Sequence, residues 1–417
     1  MAWMPGIAFF WVRLPSPDSG SPILEMGPQS SVVLGLRLAT TLLGGCLMVG
    51  TGWAQARPYL QDPMRLKVRS AAEAATQWLL DNQLESGGWG SHHSPRPIEV
   101  FASAPGSQDA FRVATTGLVV SALLDSPFGG EDKSLAVQRG IEHLLEHYPV
   151  RRQSGIEHYN VWAFGFTLQA LGECLLEGVL PEHEDQIRRA SSALVERLAG
   201  YQSVDGGGGY LSLQGYRSHT PAATSMSFTT ATILVGLARV QDAGVEVPKG
   251  LIARAVDSLR RCRMPMGPYA YGEMWRRSPQ ALINGPAGAA CRTPACQLSL
   301  MLHGQSVPDS DRNRALADLL VRYSELQRAG LRRPIPHESW CQISGYFYLY
   351  GHAYASYLLE LSSPDLRRRH APALARSVLA CAQPDGSLWD YPLYSYHKPY
   401  GTAFALITLT RILGSDR

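Results

Sequence analysis

Hydrophobic residues along this chain recur mainly with helical spacing, and two kinds of amphipathic run alternate. One kind has a charged face, as in "RRASSALVERLAGY" (188 to 201). The other is almost uncharged and rich in Ala, Gly, Ser and Thr, as in "SFTTATILVGLARV" (227 to 240). Runs with the two-residue alternation of a half-buried strand are almost absent. The charged runs begin near residues 66, 134, 184, 249, 311 and 370. Each is followed by a nearly uncharged run: 113 to 124, 160 to 175, 227 to 240, 295 to 304, 351 to 361 and 401 to 413. The pattern predicts an all-α protein of six helical hairpins.

Between the two helices of a hairpin stands a recurring turn. "WLLDNQLESGGWG" (78 to 90), "LAGYQSVDGGGGY" (198 to 210), "LRRCRMPMGPYAYG" (259 to 272) and "VLACAQPDGSLWDY" (378 to 391) each end a charged helix. Each then supplies a polar residue, a glycine and an aromatic. The second and fifth hairpins have "QSGIEHYN" and "PIPHESWCQISGY" instead. Six hairpins can stack as an open solenoid or close into a ring. Uncharged second helices suit an inner ring buried on both sides, and charged first helices an outer ring with one wet face. The expected fold is an (α/α)6 toroid whose central funnel carries the positive ends of six helix dipoles at its mouth.

The first of these turns resembles the Q-x3-G-x-W repeat of squalene and other triterpene cyclases, with Gln83, Gly87 and Trp89 in register. The resemblance covers roughly residues 66 to 415 and implies the α/α-toroid that those cyclases share with protein prenyltransferase β subunits. It also implies that the Gln caps helix ends and that the Trp packs under a neighbouring turn. Elsewhere Arg263 replaces the Gln, and Gly208 the Trp. The catalytic signatures of these families do not follow. There is no DxDD acid motif, and "PDSDRN" (308 to 313) reads as the cap of an outer helix. Of the prenyltransferase zinc ligands only Cys296 is in place. Pro294 stands at the Asp position and Gly401 at the His position, with His397 four residues upstream. No cofactor is expected, and no metal. The Cys-Gly-Glu-Gln of complement thioester domains is absent too.

The 417 residues are 45% hydrophobic with a net charge of +3, which gives no footprint for nucleic acid. The apolar stretch ending in Ala54-Gln55-Ala56 reads as an export signal, leaving residues 57 to 417 as a single toroid domain. Met26 is an alternative start, and "LGGC" offers Cys46 as a lipid-anchor site. An uncleaved membrane anchor is a third reading. Cleavage leaves six cysteines, among which a disulfide is open in an exported protein.

Function is expected at the starts of the second helices and in the segments before them, above all in hairpins two and five, where the turn is replaced. The candidate catalytic residues are His158, His337, Glu338, His352 and Asp390, suited to acid–base chemistry near neutral pH. Candidate ligand-binding residues are Tyr159, Trp162, Arg292, Tyr346, Tyr348, His397 and Tyr400. His158, His337, Glu338, Tyr348 and His352 are expected to converge on the mouth. The leading expectation is a small-molecule or lipid ligand, isoprenoid-like or a polar lipid, in the funnel. A glycan-active (α/α)6 enzyme, with a carboxylate pair such as Glu338 and Asp390 across the funnel, is one alternative. A non-catalytic scaffold that uses the toroid surface for a protein partner is another.

Overall fold

A computed structural model describes residues 60–90, 107–150, 157–212, 225–322, 347–390 and 397–414. Their helices alternate in direction. The outer members are α1 (Asp62–Asp81), α3 (Gly130–His147), α5 (Glu184–Tyr201), α7 (Lys249–Cys262), α10 (Asp309–Ala317) and α12 (Pro364–Leu379). The inner members are α2 (Ser107–Asp125), α4 (Asn160–Glu177), α6 (Ser227–Asp242), α9 (Arg292–Leu302), α11 (Tyr348–Glu360) and α13 (His397–Leu413). A single-turn helix, α8 (Pro286–Ala289), precedes α9, and a π-turn (Asp318–Arg322) extends α10. Every charged run of the sequence falls within an outer helix. Two two-residue strands, β1 (Glu157–His158) and β2 (Leu211–Ser212), pair antiparallel.

The inner helices form a closed ring. Each packs on the next, α2 on α4, α4 on α6, α6 on α9, α9 on α11 and α11 on α13, and α13 returns to α2. The ring is the expected toroid rather than an open solenoid. Burial separates the two layers as the composition predicts. All residues from Tyr348 to Leu359 of α11 are buried, whereas α7 buries only the stripe Leu251, Ala255, Val256, Ser258, Leu259 and Cys262. Small residues permit the close inner packing: a Cβ on Gly351 would lie 2.7 Å from the Cα of Cys291, just before the neighbouring α9.

Two punctuation signals turn the chain. At the end where inner helices finish, a glycine takes a left-handed conformation and a proline starts the outer helix soon after. Gly178 (φ 64), Gly244 (φ 82) and Gly304 (φ 74) are followed by Pro181, Pro248 and Pro308. At the opposite end the recurring turn does the work. Gly87, Gly206, Gly267 and Gly386 all have φ between 81° and 104°, and a Cβ on Gly87 would lie 2.4 Å from the carbonyl oxygen of Arg139.

The Gln83 amide donates to the carbonyls of Gly87 (2.8 Å) and of Ala136 in α3 (2.9 Å), tying the turn to the next outer helix. Gln202 does the same with Gly206 and Leu251. Arg263, in the Gln position, reaches the next outer helix through its ion pair with Asp311. Trp89 is fully buried, and its indole N–H donates to the Leu79 carbonyl (2.7 Å). The acidic cluster at 308 to 313 does open an outer helix. It forms ion pairs, Asp311 with Arg263 and Asp309 with Arg312, and the helix lacks a side-chain cap hydrogen bond.

Candidate functional site

Because each hairpin returns the chain, the six inner helices run parallel and their N-termini gather at one end. The strand pair sits there. The Tyr159 N–H donates to the Tyr210 carbonyl (3.0 Å), which extends the pairing, and Tyr159 then takes a left-handed conformation (φ 62) that bends the chain into α4. That conformation is uncommon for a residue with a side chain and is held by its surroundings. The Asn160 amide helps by donating to the Val150 carbonyl (3.1 Å).

The bend places Trp162 in the first turn of α4, at the centre of an aromatic cluster. Its ring lies 5.9 Å from both Phe166 and Phe228, nearly parallel to each (14° and 19°). Tyr350 meets it edge-on at 6.4 Å. Phe228 also contacts Tyr271 and Phe347, each at 5.1 Å, and Tyr210 at 5.9 Å. Phe404 joins Phe166 and Tyr350, and Tyr400 lies 6.0 Å from Phe404. Phe166, Phe228, Tyr350 and Phe404 are buried, a floor beneath the half-buried Tyr159, Trp162, Tyr210, Tyr271, Phe347 and Tyr400. Such edge-on and offset contacts are the favoured geometry for aromatic rings.

Below this floor the ring interior becomes polar. Tyr350 and Tyr354 both reach Thr232, at 3.3 and 3.1 Å, and the Gln169 amide donates to the Tyr357 hydroxyl (3.3 Å). At the inner-helix C-termini the charges meet. Arg411 pairs with Asp125 (2.7 Å) and with Glu360, and its guanidinium lies 3.7 Å from the centre of the Tyr357 ring. Arg239 stands 3.6 Å from Glu173, whose carboxyl burial pushes above its ordinary range, against the pull of Arg239. The inner helices therefore carry interacting charges in their last turns.

The sequence candidates fall into separate places. Tyr159, Trp162 and Tyr400 belong to the aromatic cluster. Tyr348 and His352 are buried two positions from Tyr350, roughly 200° around the helix from it. Their rings pack together at 4.2 Å, the Tyr348 hydroxyl donates to the Ser377 carbonyl of α12, and His352 bonds the Tyr348 carbonyl at 2.7 Å. They lie between α11 and the outer layer, apart from the rings around Trp162. Arg292 is buried and donates to the carbonyls of Tyr269, Gly288 and Ile283, so its guanidinium organises the segment before α9. Burial brings that guanidinium down to about 10.

Asp390 is fully buried, and one carboxylate oxygen accepts the Leu349 N–H (2.9 Å) at the start of α11. Burial raises its carboxyl to about 7, in spite of that hydrogen bond, and its other oxygen has no hydrogen-bond partner among the described residues. His158 lies on β1 opposite Leu211, and His397 begins α13; only their backbones are described. His337, Glu338 and Tyr346 lie outside the described residues. Phe166, Phe228 and Phe404 were not singled out in the sequence, because aromatics in apolar helices read as core. Moving inward from Trp162 by helical turns, to 166, 169 and 173, reaches floor, polar layer and charged base in order.

Among the described residues no group of three or more His, Cys, Asp and Glu is placed to hold a metal ion. Cys296 is a buried thiol without a disulfide, beside the Ser227 carbonyl. Cys174 and Cys262 are buried and free as well, and burial pushes both thiols up to about 12.

No protein-family model matches the sequence, and no curated protein does. Solved structures do resemble the fold. The type II terpene cyclase MstE from Scytonema, in complex with its substrate geranylgeranyl dihydroxybenzoate, is 16% identical with a TM-score of 0.53. That match covers 85% of this chain and 99% of the cyclase. Cellobiose 2-epimerase from Spirochaeta thermophila is 13% identical with a TM-score of 0.54, over 84% of this chain and 98% of its own. A D-mannose isomerase is 12% identical, with a TM-score of 0.51 over 83% and 96%. The chain has the terpene-cyclase-like α/α-toroid fold, one that is shared with sugar isomerases and epimerases.

Proposed function

We propose that the aromatic cluster at the inner-helix N-termini binds an isoprenoid-like or polar lipid molecule, with its chain against the rings and its polar head toward the helix ends. The carrying observation is the segregation inside the ring. Aromatic rings from four inner helices converge at one end, while Asp125, Glu173 and Glu360 collect at the other. Aromatic surface rewards contact with apolar chains, and helix N-termini favour an anionic head. Geranylgeranyl dihydroxybenzoate, the substrate of the MstE complex, combines an isoprenoid chain with an aromatic acid and is the kind of molecule this arrangement fits.

A prenylated aromatic acid is the probe. Titration into the purified protein should quench tryptophan fluorescence, and Trp162→Ala should weaken binding at least tenfold, about 1.4 kcal/mol, with helix content unchanged. Mass spectrometry of ligands retained from the native host should show an isoprenoid-like or lipid species. Saturable binding of cellobiose without binding of the prenylated acid would replace this reading with the glycan one, which the toroid shared with the epimerase supports. Export belongs to the same proposal. The mature chain would begin at Arg57, and a native chain still starting at Met1 or Met26 inside the cell would refute it.

A further inference from the structure

The recurring turn docks on the next outer helix in one register at four joints. Gly87, Gly206 and Gly386 lie against the carbonyls of Arg139, Arg254 and Ala74, and Gly267 against the Arg314 side chain. Three side chains furnish the first joint. Gln83 ties Gly87 to Ala136, Arg139 reaches back to the carbonyls of Leu84 and Glu85 (both 3.2 Å), and Trp89 is buried. The second joint keeps Gln202 and Arg254, which bond each other (2.7 Å). The third has Arg263, Arg314 and the buried Tyr269. The fourth is the seam, where the last turn meets α1. There Ala382 pairs with Leu388 as Gln202 does with Gly208 and Arg263 with Tyr269. Ala382 thus stands in the Gln position, Ala74 in the arginine position and Leu388 in the aromatic one. Of these four joints only the seam has lost all three.

Their loss leaves a cavity of about 280 Å³ between α1 and the turn, lined among others by Ala71, Ala74, Ala382, Gly386 and Leu388. That is near the lower end for small-molecule sites, roughly 300 Å³. The walls are mostly apolar. The carbonyl of Gly386 accepts no hydrogen bond among the described residues, whereas those of Gly87 and Gly206 each accept a Gln amide. The neighbouring Gln383 amide turns instead to the Cys381 carbonyl (3.0 Å). The two hairpins are joined without the missing groups, by the Trp78 indole N–H on Asp385 (3.3 Å). We infer that this seam cavity binds a small molecule that carries a planar N–H donor, an amide or a guanidinium, on an aromatic body. These are the groups that the other joints supply from their own side chains. The ring removes the apolar wall from water, and the donor satisfies the Gly386 carbonyl. The cavity is made by an outer helix and a turn and shares no residue with the rings around Trp162. Because it touches the first hairpin and the last, occupancy stabilises the closed ring.

Indole-3-acetamide, an aromatic ring joined to a primary amide, is the probe, titrated calorimetrically into the full chain. Binding should saturate, and the melting temperature should rise with probe concentration. Ala382→Gln restores the repeat's own amide. It should weaken binding at least tenfold and raise the melting temperature in the absence of probe. Leu388→Trp, which refills the cavity from the other position, should weaken binding likewise. 3-Ethylindole, which lacks the amide, should bind at least tenfold more weakly than the probe. Trp162→Ala should leave affinity at the seam within about twofold of native. Absence of saturable binding below about 1 mM would overturn the inference. So would affinity unchanged in both refilled variants, or lost only in Trp162→Ala, the result expected if the probe enters the aromatic cluster instead.

Discussion

The two ends of the inner ring are made by the same six helices and are chemically opposite. At the N-terminal end, partly exposed rings surround Trp162, and a buried guanidinium, Arg292, lies 5.6 Å from the centre of the Tyr271 ring. At the C-terminal end, Arg239 and Arg411 are fixed against Glu173, Asp125 and Glu360 around the Tyr357 ring. Helix polarity accounts for part of the contrast. Cations are favoured at helix C-termini and carboxylates are not, so the base carries arginines that offset both the dipoles and the buried acids. The base reads as a seal in which opposite charges offset one another. The mouth has half-buried rings where the base has ion pairs.

The severest test of this division is Arg411→Ala. It would leave the Asp125 carboxylate, with its side chain only 10% exposed, without its buried counter-charge. Breaking such a pair costs about 3–5 kcal/mol, and urea unfolding followed by helical circular dichroism would register it. A loss under about 1 kcal/mol, the range of a surface pair, would mean that the base is solvated and that the contrast fails.

Asp390 gives a pH-dependent test nearer the mouth. Its folded value of about 7 lies above the ordinary 3.8. Between those values the native state keeps a proton that the unfolded chain has released, so stability falls as pH rises from about 4 to about 7 and is level above that range. Each pH step of one across that window removes about 1.4 kcal/mol, so the whole fall should amount to a few kcal/mol at most. Asp390→Asn should lack this slope and be more stable than the native chain at pH 8. Parallel curves for the two proteins would show that Asp390 is ionised and solvated. The smallest effect belongs to the middle of the ring. Tyr354→Phe removes one hydroxyl bond to Thr232 and should cost about 1 kcal/mol. A loss of several kcal/mol would extend the sealed base up to the aromatic floor.

Much of the fold was legible in the sequence because its signals are local. Glycines that must adopt left-handed turns, prolines that open outer helices and a change of composition between layers all act within a few residues of where they stand. Ring closure could be inferred from the uncharged inner helices. The site was legible only where it coincides with those signals. Trp162, Tyr159 and Tyr400 stand at inner-helix starts, where function was expected. Arg292 stands at one too, but its partners are carbonyls up to 23 positions away, which no local pattern reveals. Tyr348 and His352 share a helix with Tyr350 and differ from it only by which side of that helix they occupy. Glu173, Arg239 and Arg411 left a faint trace, charges confined to the last turns of otherwise apolar helices, and their pairing depends on the ring being closed.

Closure also decides how this chain can be made. Trp78 donates to Asp385 across 307 positions, and Lys398 lies over the rings of both Trp78 and Trp389, each at 5.5 Å. The first hairpin therefore has no final neighbour until the last has been synthesised. Early hairpins can form locally, but the seam must wait, and joining such distant segments carries an entropic cost that grows only slowly with their separation. A chain cut short before its final hairpin would leave two unpaired faces where the closed ring has none. Conversely, a permuted chain that opens at another hairpin and joins the present ends should recover the same ring, because nothing in a closed circuit distinguishes its first member from its last.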